Sequence, residues 1–320
     1  MMTTLFKPLI QRLSARQKLS IINYHQVVAE FDPMRPDEVT ATQLTDQMAW
    51  ISRCFNVLTL ADAAEHLRNR TLPPRALVIT FDDGYQNNAT IALPILQHFN
   101  LNATFFIASD FLDGGIMWND RVIEALRAAP SGSIDLKWLE LGQPLLDSPE
   151  SRQLTAHKIL IAIKHKPIEE RTEAVDRLCS TIAQPANLML RSEQVQLLAK
   201  AGMEIGGHSC SHPILANLDS HNLIQEIQDN KLSLQKLIDE PVLSFAYPNG
   251  KPIKDYNQST ISALKEAGYR QAVTTCAGTS EPSTDLFQLP RFTPWRKQQF
   301  GFMAQLSKNY YTSATQLASQ

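Results

Sequence analysis

Two short segments, Thr80-Phe81-Asp82-Asp83-Gly84-Tyr85 and His208-Ser209-Cys210-Ser211-His212, carry the residue types best suited to chemistry in this 320-residue chain. Adjacent aspartates just past the apolar run Ala76-Leu77-Val78-Ile79 repel one another and lose solvation, an arrangement that a cation or a reaction would justify. Without such a use, Asp-Asp-Gly reads as a turn capping the next helix. Two imidazoles four residues apart can share one metal, on a helical turn or on a loop that folds back. Together the segments offer two nitrogens and one carboxylate oxygen, with a position left open for water. That is the ligand count of a catalytic rather than a structural zinc-type site. The remaining aspartate is free to act as a base on the water.

These side chains need elements that end where they begin. Strands are predicted over Leu19–Tyr24, Ala76–Thr80, Ala103–Ala108, Met203–Gly206, Ser244–Tyr247 and Gln271–Thr275. Helical patterns fall at Thr42–Cys54, Leu60–Arg68, Ile91–Phe99, Ser192–Ala201, Leu223–Ile238 and Ser259–Ala267. Gly202 and Gly268 stand where helix C-caps belong, just ahead of the following strands. Repeated strand–helix units with acidic and histidine residues at strand C-termini predict an α/β barrel with its active face on that side. The stretch between Asp83 and His208 is longer than one or two such units require. Its excess, with helical patterns at Leu154–Lys164 and Ile168–Ile182, reads as a helical insertion over about 115–190 beside the catalytic face. The expected organisation is a tail over 1–18 followed by one domain over 19–320.

Both chemical segments closely resemble motifs of the polysaccharide deacetylase family, the NodB-homology carbohydrate esterases that remove N- or O-acetyl groups from sugars. Thr80–Tyr85 looks like the family's first motif and His208-Ser209-x-x-His212 like its second. The resemblance implies that Asp82 is the catalytic base and that Asp83, His208 and His212 hold a divalent metal. Zinc is the first choice, with cobalt or nickel as alternatives, because this donor set discriminates weakly among them. Phe245-Ala246-Tyr247-Pro248-Asn249-Gly250 stands in the place of the third motif, yet the arginine that many members carry before the proline is absent. Arg291, in Leu289-Pro290-Arg291, is the candidate to supply that charge. Ile21-Ile22-Asn23-Tyr24-His25 is similar to the exopolysaccharide-associated branch, in which an N-terminal Tyr-His provides the catalytic acid. No histidine follows His221, so His25 is the candidate acid. The fold implied is a distorted (β/α) barrel of about seven strands.

The activity implied is metal-dependent removal of an N-acetyl, or O-acetyl, group from a saccharide. A backbone N–H near Asn249, with Tyr247 beside it, is expected to meet the oxyanion, because Pro248 has none to offer. Trp118, within Met117-Trp118-Asn119-Asp120-Arg121, suits stacking on a sugar, and Trp138 and Trp295 could do the same. Two other readings are a saccharide-binding barrel without turnover and a subunit of a polysaccharide-assembly complex. The missing third-motif arginine favours the first, but neither needs a water-activating set.

Composition excludes some classes. A net charge of −2 and a pI near 6.5 give no basic patch for nucleic acid. Cys54, Cys179, Cys210 and Cys276 form no C-x-x-C pair, so neither a disulfide framework nor a cysteine zinc site is indicated. Residues 1–18 lack the apolar run of a signal peptide or membrane span, although a short amphipathic helix on a membrane surface fits them. Cytoplasmic location is the resulting expectation.

Overall fold

The structure, a computed structural model, describes residues 18–180, 188–312 and 318. The expected tail, residues 1–17 of it, and the end of the expected 168–182 helix therefore lie outside the described residues. Strands form at Leu19–Tyr24 (β1), Val27–Val28 (β2), Val39–Thr40 (β3), Asn56–Leu58 (β4), Ala76–Phe81 (β5), Thr104–Ile107 (β6), Glu204–Gly207 (β7), Ser244–Ala246 (β8) and Gln271–Val273 (β9). β2 and β3 pair only with each other, and the remaining seven build one parallel sheet. Its path runs β1-β5-β6-β7-β8-β9. β4 and β6 share one side of β5, β4 against Ala76–Val78 and β6 against Thr80 and Phe81.

The sheet curls into a distorted barrel. Leu289 bridges Val273 of β9 and Phe292 bridges Ile22 of β1, so residues 289–292 stitch the seam between the two end strands. Hydrogen bonds from Asn23 N–H to the Phe292 carbonyl (3.0 Å) and from Thr274 N–H to the Leu289 carbonyl (2.9 Å) hold it.

Side-chain alternation sorts each strand between two cores. Leu19, Ile21, Val78, Phe106, Ala246, Val273 and Leu289 pack together within the curl. Their neighbours Ile22, Tyr24, Leu77, Ile79, Phe81, Phe105 and Phe245 pack outward against helices. Helix α1 (Ala41–Cys54) is started by a Thr40–Gln43 capping box, and α2 (Leu60–Asn69) by the Thr59 side chain. The N-terminus of α2 closes the barrel floor, where Leu60 N–H donates to Thr104 and Ala61 N–H donates to Glu204. Thr104, Glu204, Ser244 and Gln271 form a polar layer there, and burial pushes the Glu204 carboxyl up.

After β5 the chain makes a π-helical turn, Asn88–Ala92, that runs into α3 (Leu93–His98). Helices α4 (Trp118–Ala128), α5 (Pro149–Ile163) and α6 (Ile168–Cys179) follow β6 and pack around their own cluster of Val122, Leu126, Ile159, Ile163, Val175 and Leu178. Met34, from the loop between β2 and β3, joins that cluster. Arg35 of the same loop donates to Asp120 (2.7 Å) and Glu124 (2.9 Å) of α4, and Tyr85 donates to the other Asp120 oxygen (3.1 Å). The β2–β3 loop and the 118–179 helices are thus pinned together over the strand C-termini. Helices α7 (Ser192–Lys200), α8 (Ser220–Ile238), α9 (Gln258–Glu266) and α10 (Gln299–Tyr310) complete the outer layer. No helix among the described residues is long and apolar enough to cross a membrane.

Candidate active site

Parallel register brings the distant segments together. Tyr24 is aligned with Phe81, so His25 and Asp82, each one residue past its strand, fall side by side. Ile107 is aligned with Gly207, which sets His208 beside the end of β6, and Gly207 is aligned in turn with Phe245 of β8. All of these residues stand at strand C-termini, the side on which barrel enzymes build their sites. His25, Asp82, Asp83, His208 and His212 line a cleft of about 430 Å³ together with Trp118, Asn119, Lys164, Arg171, Tyr247 and Asn249.

Asp83, His208 and His212 converge. Asp83 Oδ1 lies 3.2 Å from His208 Nε2 and 3.5 Å from His212 Nε2. One ligand atom from each lies within 4.8 Å of the others. His208 Nδ1 lies 2.7 Å from the Ala246 carbonyl, so it carries a proton and turns Nε2 toward Asp83, the nitrogen available to a cation. Burial pushes His212 down to about 4, which keeps it neutral. Against burial, the Asp83 hydrogen bond and the Asp82 and Asp83 charges raise His208, so an Nε2 proton there is what a cation would displace. The two imidazole nitrogens and the carboxylate then fit a divalent cation of the zinc type. Cys210, between the histidines, is outside this group, and burial pushes its thiol up to about 12.

The local backbone is shaped for the site. Asp83 (φ 73°) and His212 (φ 54°) are left-handed, a conformation non-glycine residues adopt at a cost and often at functional positions. Helix α8 restrains the histidine loop from one face. Asn230 donates to the carbonyls of Ile107 (3.0 Å) and Ser209 (2.7 Å) and accepts from His208 N–H (3.2 Å). One turn earlier, Glu226 accepts from the N–H groups of Cys210 (2.8 Å) and Ser211 (2.9 Å). The approach of α8 explains Gly207. A Cβ there would lie 2.2 Å from Tyr269 Oη and 2.6 Å from Asn230 Oδ1.

Asp82 occupies a different environment. Arg291 grips it with both ends of its guanidinium, Nη1 to Oδ1 at 2.7 Å and Nη2 to Oδ2 at 2.5 Å. Nη1 also donates to Asn23 Oδ1 (3.0 Å), whose amide donates to Asp82 Oδ2 (3.3 Å). Burial would raise the Asp82 carboxyl, but the Arg291 charge, His208 and the Arg291 hydrogen bonds together hold it below the usual range. The positive charge missing before Pro248 therefore arrives from the seam segment. His25 Nε2 faces the same carboxylate at 3.9 Å, with two-fifths of its side chain open to the cleft. Its carbonyl is fixed by Asn88 of the π-helical turn (2.8 Å), a placement common for such turns near functional groups.

Other expected site residues fare differently. Asn249 (φ 60°) lines the cleft, and its backbone N–H has no acceptor among the described residues. Tyr247 forms wall but offers no donor. Its N–H is committed to the Val273 carbonyl and its hydroxyl to the Phe287 carbonyl, while its ring stacks on Tyr256. Trp118 lines the cleft with one face beneath the Arg171 guanidinium, 4.9 Å away. Trp138 packs under Arg177 and Trp295 is 68% exposed, and neither is among the cleft-lining residues. Asn23, Thr80, Glu226 and Asn230 were not anticipated. A polar Asn23 closing the apolar β1 and an i,i+4 Glu–Asn pair on α8 were the available signals.

Several known proteins resemble this chain. A family model described as polysaccharide deacetylase matches residues 69–136 and 154–272. The Bacillus subtilis protein YxkH is 22% identical over 276 residues, covering 86% of this chain and 70% of that one. The Escherichia coli (strain K12) poly-beta-1,6-N-acetyl-D-glucosamine N-deacetylase is 34% identical over 94 residues. That match covers 29% of this chain and 14% of that protein. Among solved structures, the Streptococcus pyogenes deacetylase PplD superposes with a TM-score of 0.63 at 17% identity over 91% of this chain and 98% of that one. A de-N-acetylase from Aggregatibacter actinomycetemcomitans gives 0.60 at 18% identity over 90% and 99%. At these identities the structures establish the shared fold.

Proposed function

This chain belongs to the polysaccharide deacetylase family, and from that premise we propose that it hydrolyses the N-acetyl group of a saccharide with the help of a divalent cation. The observation that carries the reading is the meeting, in one cleft, of an arginine-clamped Asp82, a free-edged His25 and the Asp83–His208–His212 set. Those three side chains would hold the cation, which when bound supplies Lewis-acid polarisation and a more acidic water.

The chain's own groups divide the proton work. Asp82 is ionised at neutral pH and takes the proton of the attacking water. Arg291 and Asn23 fix the carboxylate, so that little reorganisation accompanies the transfer. His25, opposite Asp82 and open to the cleft, gives a proton to the departing amine. Asn249 N–H stands ready for the oxyanion, and Trp118 in the cleft wall seats a sugar ring.

The test is acetate release from N-acetylglucosamine oligomers, with and without chelator, for the wild type and two variants. Asp82→Asn should retain cation binding and lose about two or more orders of magnitude in rate, the scale of a general base. Asp83→Asn should lose cation binding as well. The reverse pattern would exchange base and ligand, and no acetate from any oligomer would remove the activity.

A further inference from the structure

The three most deeply buried arginines over the strand C-termini differ in one respect. Arg291 is paired with Asp82, and Arg35 with Asp120 and Glu124. Arg171, in the first turn of α6, is 8% exposed and has no carboxylate within ion-pair distance among the described residues. Its guanidinium lies on the Trp118 ring, which covers a face but leaves the N–H edges without an acceptor. Burial lowers Arg171, as expected for a partly desolvated cation with no carboxylate beside it. A cation held against an aromatic ring in a cleft wall, with its N–H edges uncommitted to the chain, suits an anion supplied from outside.

Lys164, at the end of α5, lines the same wall, half-buried and without an ion-pair partner among the described residues. Asp255 is the acidic group it feels, offset by the positive charges of Lys251 and Lys254. Asp37 and Glu38 of the β2–β3 loop line the cleft too, Glu38 close enough to feel His25. The cleft is therefore polarised, acidic on the His25 side and basic on the α5–α6 side. Lys164 and Arg171 also line an adjoining cavity of about 410 Å³ with Lys166, Asn217 and Asn222, where Glu169 and Asp219 are the acidic residues, so they stand where the cleft continues outward.

We propose that Arg171 and Lys164 form an anion-binding subsite, and that the saccharide this protein takes bears a carboxylate or phosphate close to its acetylated sugar, an inference that rests on the deacetylase reading above. Trp118 joins the two functions, since its ring supports Arg171 and also lines the cleft where the sugar would sit.

Calorimetry on the full chain tests this with paired probes. One pair is a hyaluronan tetrasaccharide, which alternates N-acetylglucosamine with glucuronate, against neutral chitotetraose. The other is N-acetylglucosamine 1-phosphate against N-acetylglucosamine. At low salt the wild type should bind at least one acidic probe about tenfold more tightly than its neutral counterpart, the worth of one charge-assisted hydrogen bond. The preferred pair identifies carboxylate or phosphate. The preference should shrink with added salt and disappear in Arg171→Gln and in Lys164→Gln, with binding of the neutral probe unchanged. Lys164→Gln decides alone if Arg171→Gln fails to fold. Equal affinities in both pairs, or a preference that survives substitution, would overturn the subsite. Acetate release from chitotetraose without any acidic preference would remove the subsite and leave deacetylation standing, and acidic preference without acetate release would do the opposite.

Discussion

Replacing Arg291 with Met isolates the pair on which the proposed base depends. Both partners are almost wholly buried, at 1% and 3% side-chain exposure, and are joined by two short hydrogen bonds. Removing one member of such a pair leaves an uncompensated charge in the interior, at a cost of about 3–5 kcal/mol. Against a total stability of about 5–15 kcal/mol the loss is large yet measurable. Its pH dependence carries the diagnosis. In the wild type the Asp82 carboxyl is held below its ordinary range, so its stabilisation is present above about pH 4 and is lost as pH falls through the lower folded value. Without Arg291, burial dominates and the folded carboxyl rises above the unfolded one. A penalty then begins above about pH 4 and grows until the folded group ionises. The gap between variant and wild type is therefore widest at neutral pH and narrows toward pH 4. Urea unfolding at pH 8 and pH 5, with chelator throughout, measures it. Asp82→Asn in the Arg291→Met background should recover much of the loss at pH 8. Equal destabilisation at both pH values, with additive effects in the double variant, would refute the reasoning.

His25→Ala should reduce acetate release from N-acetylglucosamine oligomers by about two orders of magnitude while sparing an aryl acetate, whose phenolate leaves without a proton donor. Parallel kinetics on the two substrates decide it, and equal losses would assign His25 a structural role. Gly207→Ala would drive a Cβ into Tyr269 and Asn230, and overpacking of this kind costs about 1–3 kcal/mol. Because Asn230 also anchors the His208 loop, cation affinity measured by titration calorimetry should fall along with the melting temperature.

The catalytic face was legible because apolar runs that stop at Asp82, His208 and His25 announce strand C-termini, where a parallel barrel gathers its chemistry. Six strands of the main sheet were visible in this way. β4 was not, since Asn56–Leu58 is three residues long and only partly covered. Helix α4 was also missed, because it starts without a side-chain cap and its polar Asp120 is spent inward on Arg35. That contact joins residues 85 apart in sequence, and no local pattern encodes it. Glu226 and Asn230 were hidden differently. On an amphipathic helix a polar residue reads as a solvent face, whereas these two turn toward the histidine loop. Arg291 could be named from its charge, but its reach to Asp82 follows from barrel closure, which periodicity does not contain. Tyr247 shows the converse error, a polar side chain at the right address with its hydrogen bonds already committed.

The seam has a consequence for how the protein is made. Residues 289–292 both join β9 to β1 and deliver Arg291 to Asp82, so the proposed base acquires its clamp only when the last part of the sheet meets the first. During synthesis the Asp82–Asp83 pair emerges some two hundred residues before its countercharge. Until closure the curled sheet has two open edges, the state most exposed to mispairing with other chains. Completion of the barrel and assembly of the Asp82–Arg291 pair are therefore one event.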